Sequence, residues 1–123
     1  MIDDTLNEYG RGLGLPALEF NEFGVASLAF DATGQLFIER LEQSVMLYVV
    51  RTSDRLDDAQ LVDALAVCHW SHNHPFDVNA AASGDTGLVF SAVLPESTFD
   101  LPTLERAIAF LNRLHDSVQG VGV

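Results

Sequence analysis

The chain has 123 residues, 48% of them hydrophobic with eight Phe, enough for one domain with a sizeable core and too little for two. Its 18 acidic residues stand against six basic ones, all Arg, for a formal net charge of −12 and a pI near 4.3. A surface this negative repels phosphate backbones and anionic lipid, which argues against nucleic acid or membrane and for a protein partner.

The single Cys68 cannot form an intramolecular disulfide, and Met1-Ile2-Asp3-Asp4 has neither the basic region nor the apolar run of a secretion signal. No apolar run approaches the roughly 20 residues needed to span a bilayer. One cytosolic domain over residues 1–123 is expected, with a disordered tail from 117 to 123.

In chain order, the first element reads as a short helix. Thr5 and Glu8 have capping-box spacing, Asp3 and Asp4 suit a helix start, and Ile2, Leu6, Tyr9 and Leu13 fall on one stripe. Gly10, Gly12 and Gly14 weaken the helix and Pro16 stops it near Leu13. The Gly-rich run follows a helix and lacks a Lys-Ser/Thr pair, so it is a helix C-cap and not a phosphate cradle.

Three strands come next, Val25 to Phe30, Gln35 to Leu41 and Val45 to Arg51. They are joined by Asp31-Ala32-Thr33-Gly34 and Glu42-Gln43-Ser44, so an antiparallel meander is predicted. The third is apolar on both alternating faces, which suits a strand covered on each side. One helix can cover one face; something else must cover the other.

A second helix follows Thr52–Leu56 and runs from about Asp57 to Trp70, with a capping box at Asp57 and Gln60. Leu61, Leu65 and Cys68 form one ridge, with Val62, Ala66 and His69 beside it. Ala59, Ala64 and Ala66 keep the helix slim, which permits a dimer seam.

His69, His72 and His74, with Cys68 and Asp77, are the candidates for a metal. Their spacing matches no zinc pattern, so no metal and no cofactor is expected. Ser71, His72 and Asp77 could make a triad only by sequence proximity, and no nucleophile elbow occurs. Paired carboxylates such as Asp57-Asp58 sit at a helix start, so no enzymatic activity is expected.

Strands from Phe76 to Ala82 and Gly87 to Leu94 form a hairpin about Ser83-Gly84-Asp85-Thr86, the second again apolar on both faces. The last helix begins near Asp100, with Pro102 in its first turn. Leu101, Leu104, Ile108, Leu111 and His115 trace its inner stripe, and Arg106 and Arg113 supply a basic end.

The fold class is α+β, in the order α-β-β-β-α-β-β-α. With Leu13-Gly14-Leu15-Pro16, Phe20-Asn21-Glu22-Phe23-Gly24-Val25, Leu28-Ala29-Phe30-Asp31 and Met46-Leu47-Tyr48, the chain resembles a class I type III secretion chaperone of the Tir/CesT kind over residues 2–116. The resemblance implies a bacterial, cytoplasmic homodimer that binds the N-terminal chaperone-binding segment of a secreted effector and keeps it soluble and export-competent. It also brings in the secretion ATPase as a partner.

The alternative is a regulator of the same fold, an anti-activator or YbjN-like module sequestering a protein. The expected client surface comprises Leu6, Leu13, Leu15, Phe20, Leu28, Phe30, Phe37 and Ile38, with Arg11, Arg40 and Arg51 orienting the client strand. The expected dimer interface comprises Leu61, Leu65, Cys68, Leu88, Phe90 and Ala92.

Overall fold

The computed structural model describes residues 2–15, 17–30, 34–52, 57–69, 75–84 and 86–119. Its elements are α1 (Ile2–Gly12), β1 (Val25–Phe30), β2 (Gly34–Arg40), β3 (Ser44–Thr52), α2 (Asp58–Val67), β4 (Asp77–Ser83), β5 (Gly87–Pro95) and α3 (Leu101–Gln119), with a 3-10 turn at Glu96–Thr98. The five strands form one antiparallel sheet in the order β1-β2-β3-β5-β4. The predicted α+β order is therefore observed. Pro16, the turn residues Asp31, Ala32, Thr33 and Asp85, the Ser53–Leu56 link, Trp70 and residues 120–123 lie outside the described residues.

Helix α1 starts at Ile2, ahead of the expected cap, so Thr5 and Glu8 sit inside it and do not form a capping box. Burial of Ile2 on the same stripe as Leu6 and Tyr9 explains the earlier start. The helix ends as its glycines predict. The Leu15 N–H donates to the Gly10 carbonyl and the Gly14 N–H to that of Arg11, both at 3.0 Å, with Gly14 at φ +84. This is a Schellman closure, and it satisfies two of the carbonyls left over by the last turn.

The other helix starts follow local chemistry as expected. The Gln60 N–H donates to Asp57 Oδ1 at 2.8 Å while the Asp57 N–H donates to Gln60 Oε1, a complete capping box. Helix α2 stops at Val67 with Cys68 as its cap, short of the expected Trp70. The Thr103 N–H donates to Asp100 Oδ1 at 2.9 Å, and the hydrogen bonds from Thr103 hold the Asp100 carboxyl below its ordinary range.

Helix α3 runs to Gln119, so residues 117–119 are helical and not part of a disordered tail, and Arg113 lies short of the last turn. Val118 is buried, which gives the extra turn a reason to form.

Strand alternation divides the sheet into two faces. Ala26, Leu36, Ile38, Val45, Leu47, Val49, Val78, Leu88, Phe90, Ala92 and Leu94 point to one of them and are buried. Leu104, Ala107, Ile108, Leu111 and His115 of α3 join them in one core with Ile2, Leu6 and Tyr9 of α1 and Ala64 of α2.

Polar contacts of Arg51 and His115 fix α3 on this face. Arg51 Nη1 donates to Asp116 Oδ1 at 2.7 Å and Nη2 to Asn112 Oδ1 at 3.2 Å, with the arginine side chain only 12% exposed. His115 Nε2 donates to the Val49 carbonyl at 2.7 Å, and its ring meets Phe90 edge-on at 4.7 Å. That bond leaves Nδ1 as the unprotonated nitrogen, buried and without a hydrogen-bond partner.

Burial pushes the pKa of His115 down to about 4; Arg51 lowers it further, and the Val49 bond and Asp116 only partly oppose this. An unfolded histidine titrates near 6.5, so below that pH the unfolded chain takes up a proton that the folded chain refuses. Stability is thus full above about pH 6.5 and falls toward pH 4, by up to about 3 kcal/mol from this residue. Urea unfolding between neutral pH and about 5 should show the decline, and His115→Leu should flatten it.

A second expectation comes from Gly34, at φ +89, where an added Cβ would run into the Val50 carbonyl of the neighbouring strand. Gly34→Ala should cost about 2 kcal/mol or more. Gly84→Ala, also at positive φ but with open space around it, should cost about 1 kcal/mol in the same thermal unfolding assay.

Candidate functional site

The second sheet face is formed by Val25 of β1, Phe37 and Glu39 of β2, Met46, Tyr48 and Val50 of β3, Val89, Ser91 and Val93 of β5, and Asp77 and Asn79 of β4. None of these side chains is buried. Phe37 and Tyr48, paired in register, stack at 5.0 Å between centroids with 15° between planes. Desolvation and then Glu39 raise the Tyr48 hydroxyl pKa, which keeps it a neutral donor or acceptor at the rim of this patch. The two-sided apolar pattern of β3 and β5 is real, and the chain's own helices cover one side of it.

A further half-exposed apolar group lies along α1's end, the loop into β1 and edge strand β1. It includes Leu13 at 45% exposure and Leu15, Phe20, Leu28 and Phe30, each partly buried. The Arg40 guanidinium sits 6.0 Å from the Phe20 ring centroid, and its Nη1 donates to Asp3 Oδ2 at 3.2 Å. Both partners of that ion pair are well exposed, so it adds little stability. Asn21 Oδ1 accepts from the N–H groups of Phe23 and Val25, an Asx turn that leaves Phe23 78% exposed at the sheet's corner.

The eight residues expected to meet a client therefore do not form one surface. Leu6 and Ile38 are interior, because α1 turns Leu6 inward and Ile38 points to the helix side of β2. Phe37, one residue earlier, points to the opposite face. Leu13, Leu15, Phe20, Leu28 and Phe30 remain accessible in part. Arg40 and Arg51, expected to orient a client, are paired with Asp3 and Asp116 in the single chain.

The residues expected at a dimer interface divide in the same way. Leu88, Phe90 and Ala92 are fully buried in this chain's own core, because alternation along β5 sends them toward the helices and Val89 and Val93 outward. Leu61 and Cys68 pack partly against that core, whereas Leu65 is 50% and Val62 62% exposed on the outer side of α2.

The sequence reading left out Phe23, Val62, Met46, Tyr48, Val89 and Val93 as contact residues. For the four strand residues the doubly apolar pattern was the signal. It marks both faces alike and so cannot say which one the helices take.

The remaining candidates offer little chemistry. His69 is exposed at the end of α2, while Ser71, His72 and His74 lie outside the described residues. Among the described residues no three His, Cys, Asp or Glu side chains gather as metal ligands. Burial pushes the Cys68 thiol pKa up, which disfavours the reactive thiolate. A cleft of about 620 Å³ at the end of the sheet is lined by Gln43, Phe76, Asp77, Val93, Leu94, Pro95, Thr98 and Thr103, drawn from both faces and from α3. No described helix is long and apolar enough to cross a membrane.

No curated protein matches the sequence. Among solved structures, the ExsC–ExsE complex contains a chain 24% identical, with a TM-score of 0.79 over 98% of this chain and 92% of that one. The Yersinia pestis type III secretion chaperone SycH, in complex with a fragment of YscM2, matches at 16% identity and TM-score 0.73 over 97% and 100% of the two chains. The HopA1–SchA chaperone–effector complex matches at 17% and 0.70 over 96% and 92%. These likenesses establish a shared fold, and the model of the family described as type III secretory system chaperone SycN matches residues 1–119. The chain belongs to that family of type III secretion chaperones.

Proposed function

We propose that the chain is a cytoplasmic chaperone that binds the N-terminal segment of a secreted effector, keeping it soluble, partly unfolded and ready for export. The observation that carries the reading is the sheet face of Phe37, Met46, Tyr48, Val50, Val89 and Val93, with no buried side chain in a chain that belongs to a chaperone family. An effector segment supplies the apolar groups that such a face lacks. The half-exposed group from Leu13 to Phe30 gives the same segment a second contact region. The order α-β-β-β-α-β-β-α supports the narrower placement with class I chaperones of the Tir/CesT kind. The role is binding, without catalysis or cofactor, and it serves delivery to the secretion ATPase.

Two copies associate, in this reading, through the outer side of α2, where Leu65 and Val62 are exposed and Ala59 and Ala66 allow close approach. Leu65 is half exposed in the single chain, so Leu65→Asp should leave the fold intact and convert a dimer to a monomer. Sedimentation of wild type as a monomer at micromolar concentration would refute the seam.

For the client, calorimetry with the N-terminal segment of a secreted effector should show a large negative heat-capacity change. Affinity should weaken about tenfold or more in Phe30→Asp or Phe37→Asp. Unchanged affinity in both variants would remove these surfaces from the client site.

A further inference from the structure

The charges on the two sides of the sheet are segregated. The described arginines, Arg11, Arg40, Arg51, Arg106 and Arg113, all lie on helices or on the helix side of the sheet. Arg40 reaches back to α1 and Arg51 to α3. On the second face the described charges are all acidic, and their positions are set by register. One row across four strands reads Glu39, Met46, Val93, Asp77, so an apolar pair is bracketed by carboxylates. The row beside it reads Phe37, Tyr48, Ser91, Asn79, and the aromatic pair continues the apolar strip.

We infer that this face takes an amphipathic helical segment of the client whose apolar stripe is flanked on both sides by Lys or Arg. The inference rests on the chaperone reading and adds the chemistry of the client to it. A helix suits the place because the contact residues form a patch several strands wide, as on the opposite face where α3 lies. An added strand would need a free sheet edge, whereas β2, β3 and β5 are each paired on both sides. Glu39 and Asp77 stand where the charged flanks of such a helix would fall, and no described arginine on this face opposes them.

The test uses two labelled peptides with one apolar stripe, one built of Leu and Lys at helical spacing and the other of Leu and Glu. Binding is read by fluorescence anisotropy to wild type, to Glu39→Arg/Asp77→Arg, and to Glu8→Arg/Glu105→Arg, which reverses the same number of charges on exposed helix positions. Wild type should prefer the Leu/Lys peptide by about tenfold or more, and the sheet-face reversal should invert the preference. The helix-side reversal should leave it within about twofold.

Equal effects of the two reversals would mean that net charge alone draws the peptide, and would overturn the inference. A change of oligomeric state in the sheet-face variant, seen by sedimentation, would show a second copy on this face and overturn it as well. An effector segment that binds wild type and the sheet-face variant equally would sink the inference alone, whereas an effector that binds neither would sink the chaperone reading.

Discussion

The structure depends on the pairing of β3 with β5, two nine-residue strands that are apolar on both of their faces. An antiparallel sheet usually keeps one face wet and alternates accordingly, but here neither face of the central pair has the polarity of a solvent face. The chain's helices relieve this on one side only. α3 settles against Val49 and Phe90, α1 and Ala64 of α2 complete the same core, and the opposite side keeps Met46, Tyr48, Val50, Val89 and Val93 half exposed. A domain that merely had to fold would gain by placing Ser, Thr or Lys at those outer positions. Their retention is physically intelligible as the counterpart of a surface that arrives from elsewhere.

Polar contacts then set the orientation that apolar burial leaves free. Among the described residues, Arg51 and His115 tie α3 to β3, one at the strand's end and one at the Val49 carbonyl. Apolar contact alone would let α3 slide or rotate over a surface of Leu, Val and Phe. The unpartnered Nδ1 of His115 is the cost of using a ring with two nitrogens where one acceptor is available.

Much of the fold was legible because it is encoded locally. The strand limits fall within about a residue of the hydrophobic runs and turn signals, and the cap at Asp57–Gln60 and the glycine end of α1 follow from side chains a few residues apart. His115 was placed on the inner stripe of α3 by spacing, and it is buried there. What could not be read was the side of the sheet the helices would choose. For a strand such as Leu88 to Leu94, polar residues do not mark an outer phase. Leu88, Phe90 and Ala92 therefore looked as available as Val89 and Val93 until the fold sent them inward. Leu6, by contrast, lies on the apolar stripe of α1, and Gln35 and Glu39 mark the outer phase of β2, so the inward places of Leu6 and Ile38 follow from local pattern. The end of α3 was missed because burial of Val118, a tertiary effect, outweighs the weak local signals near it.

The strand order has a consequence for how the molecule is made. β1, β2 and β3 are neighbours in sequence and in the sheet, so a nascent chain can assemble the meander as soon as it emerges. β3 then waits with one edge bare, because its other partner is β5, and α2 and β4 must be synthesised first. During that interval a long strand, apolar on both faces over Val45–Val50, offers those faces and an open row of backbone donors and acceptors. A protein that shelters the exposed segments of another thus passes, on the way to its own fold, through a stage with the same vulnerability, and rapid docking of the β4–β5 hairpin is what ends it.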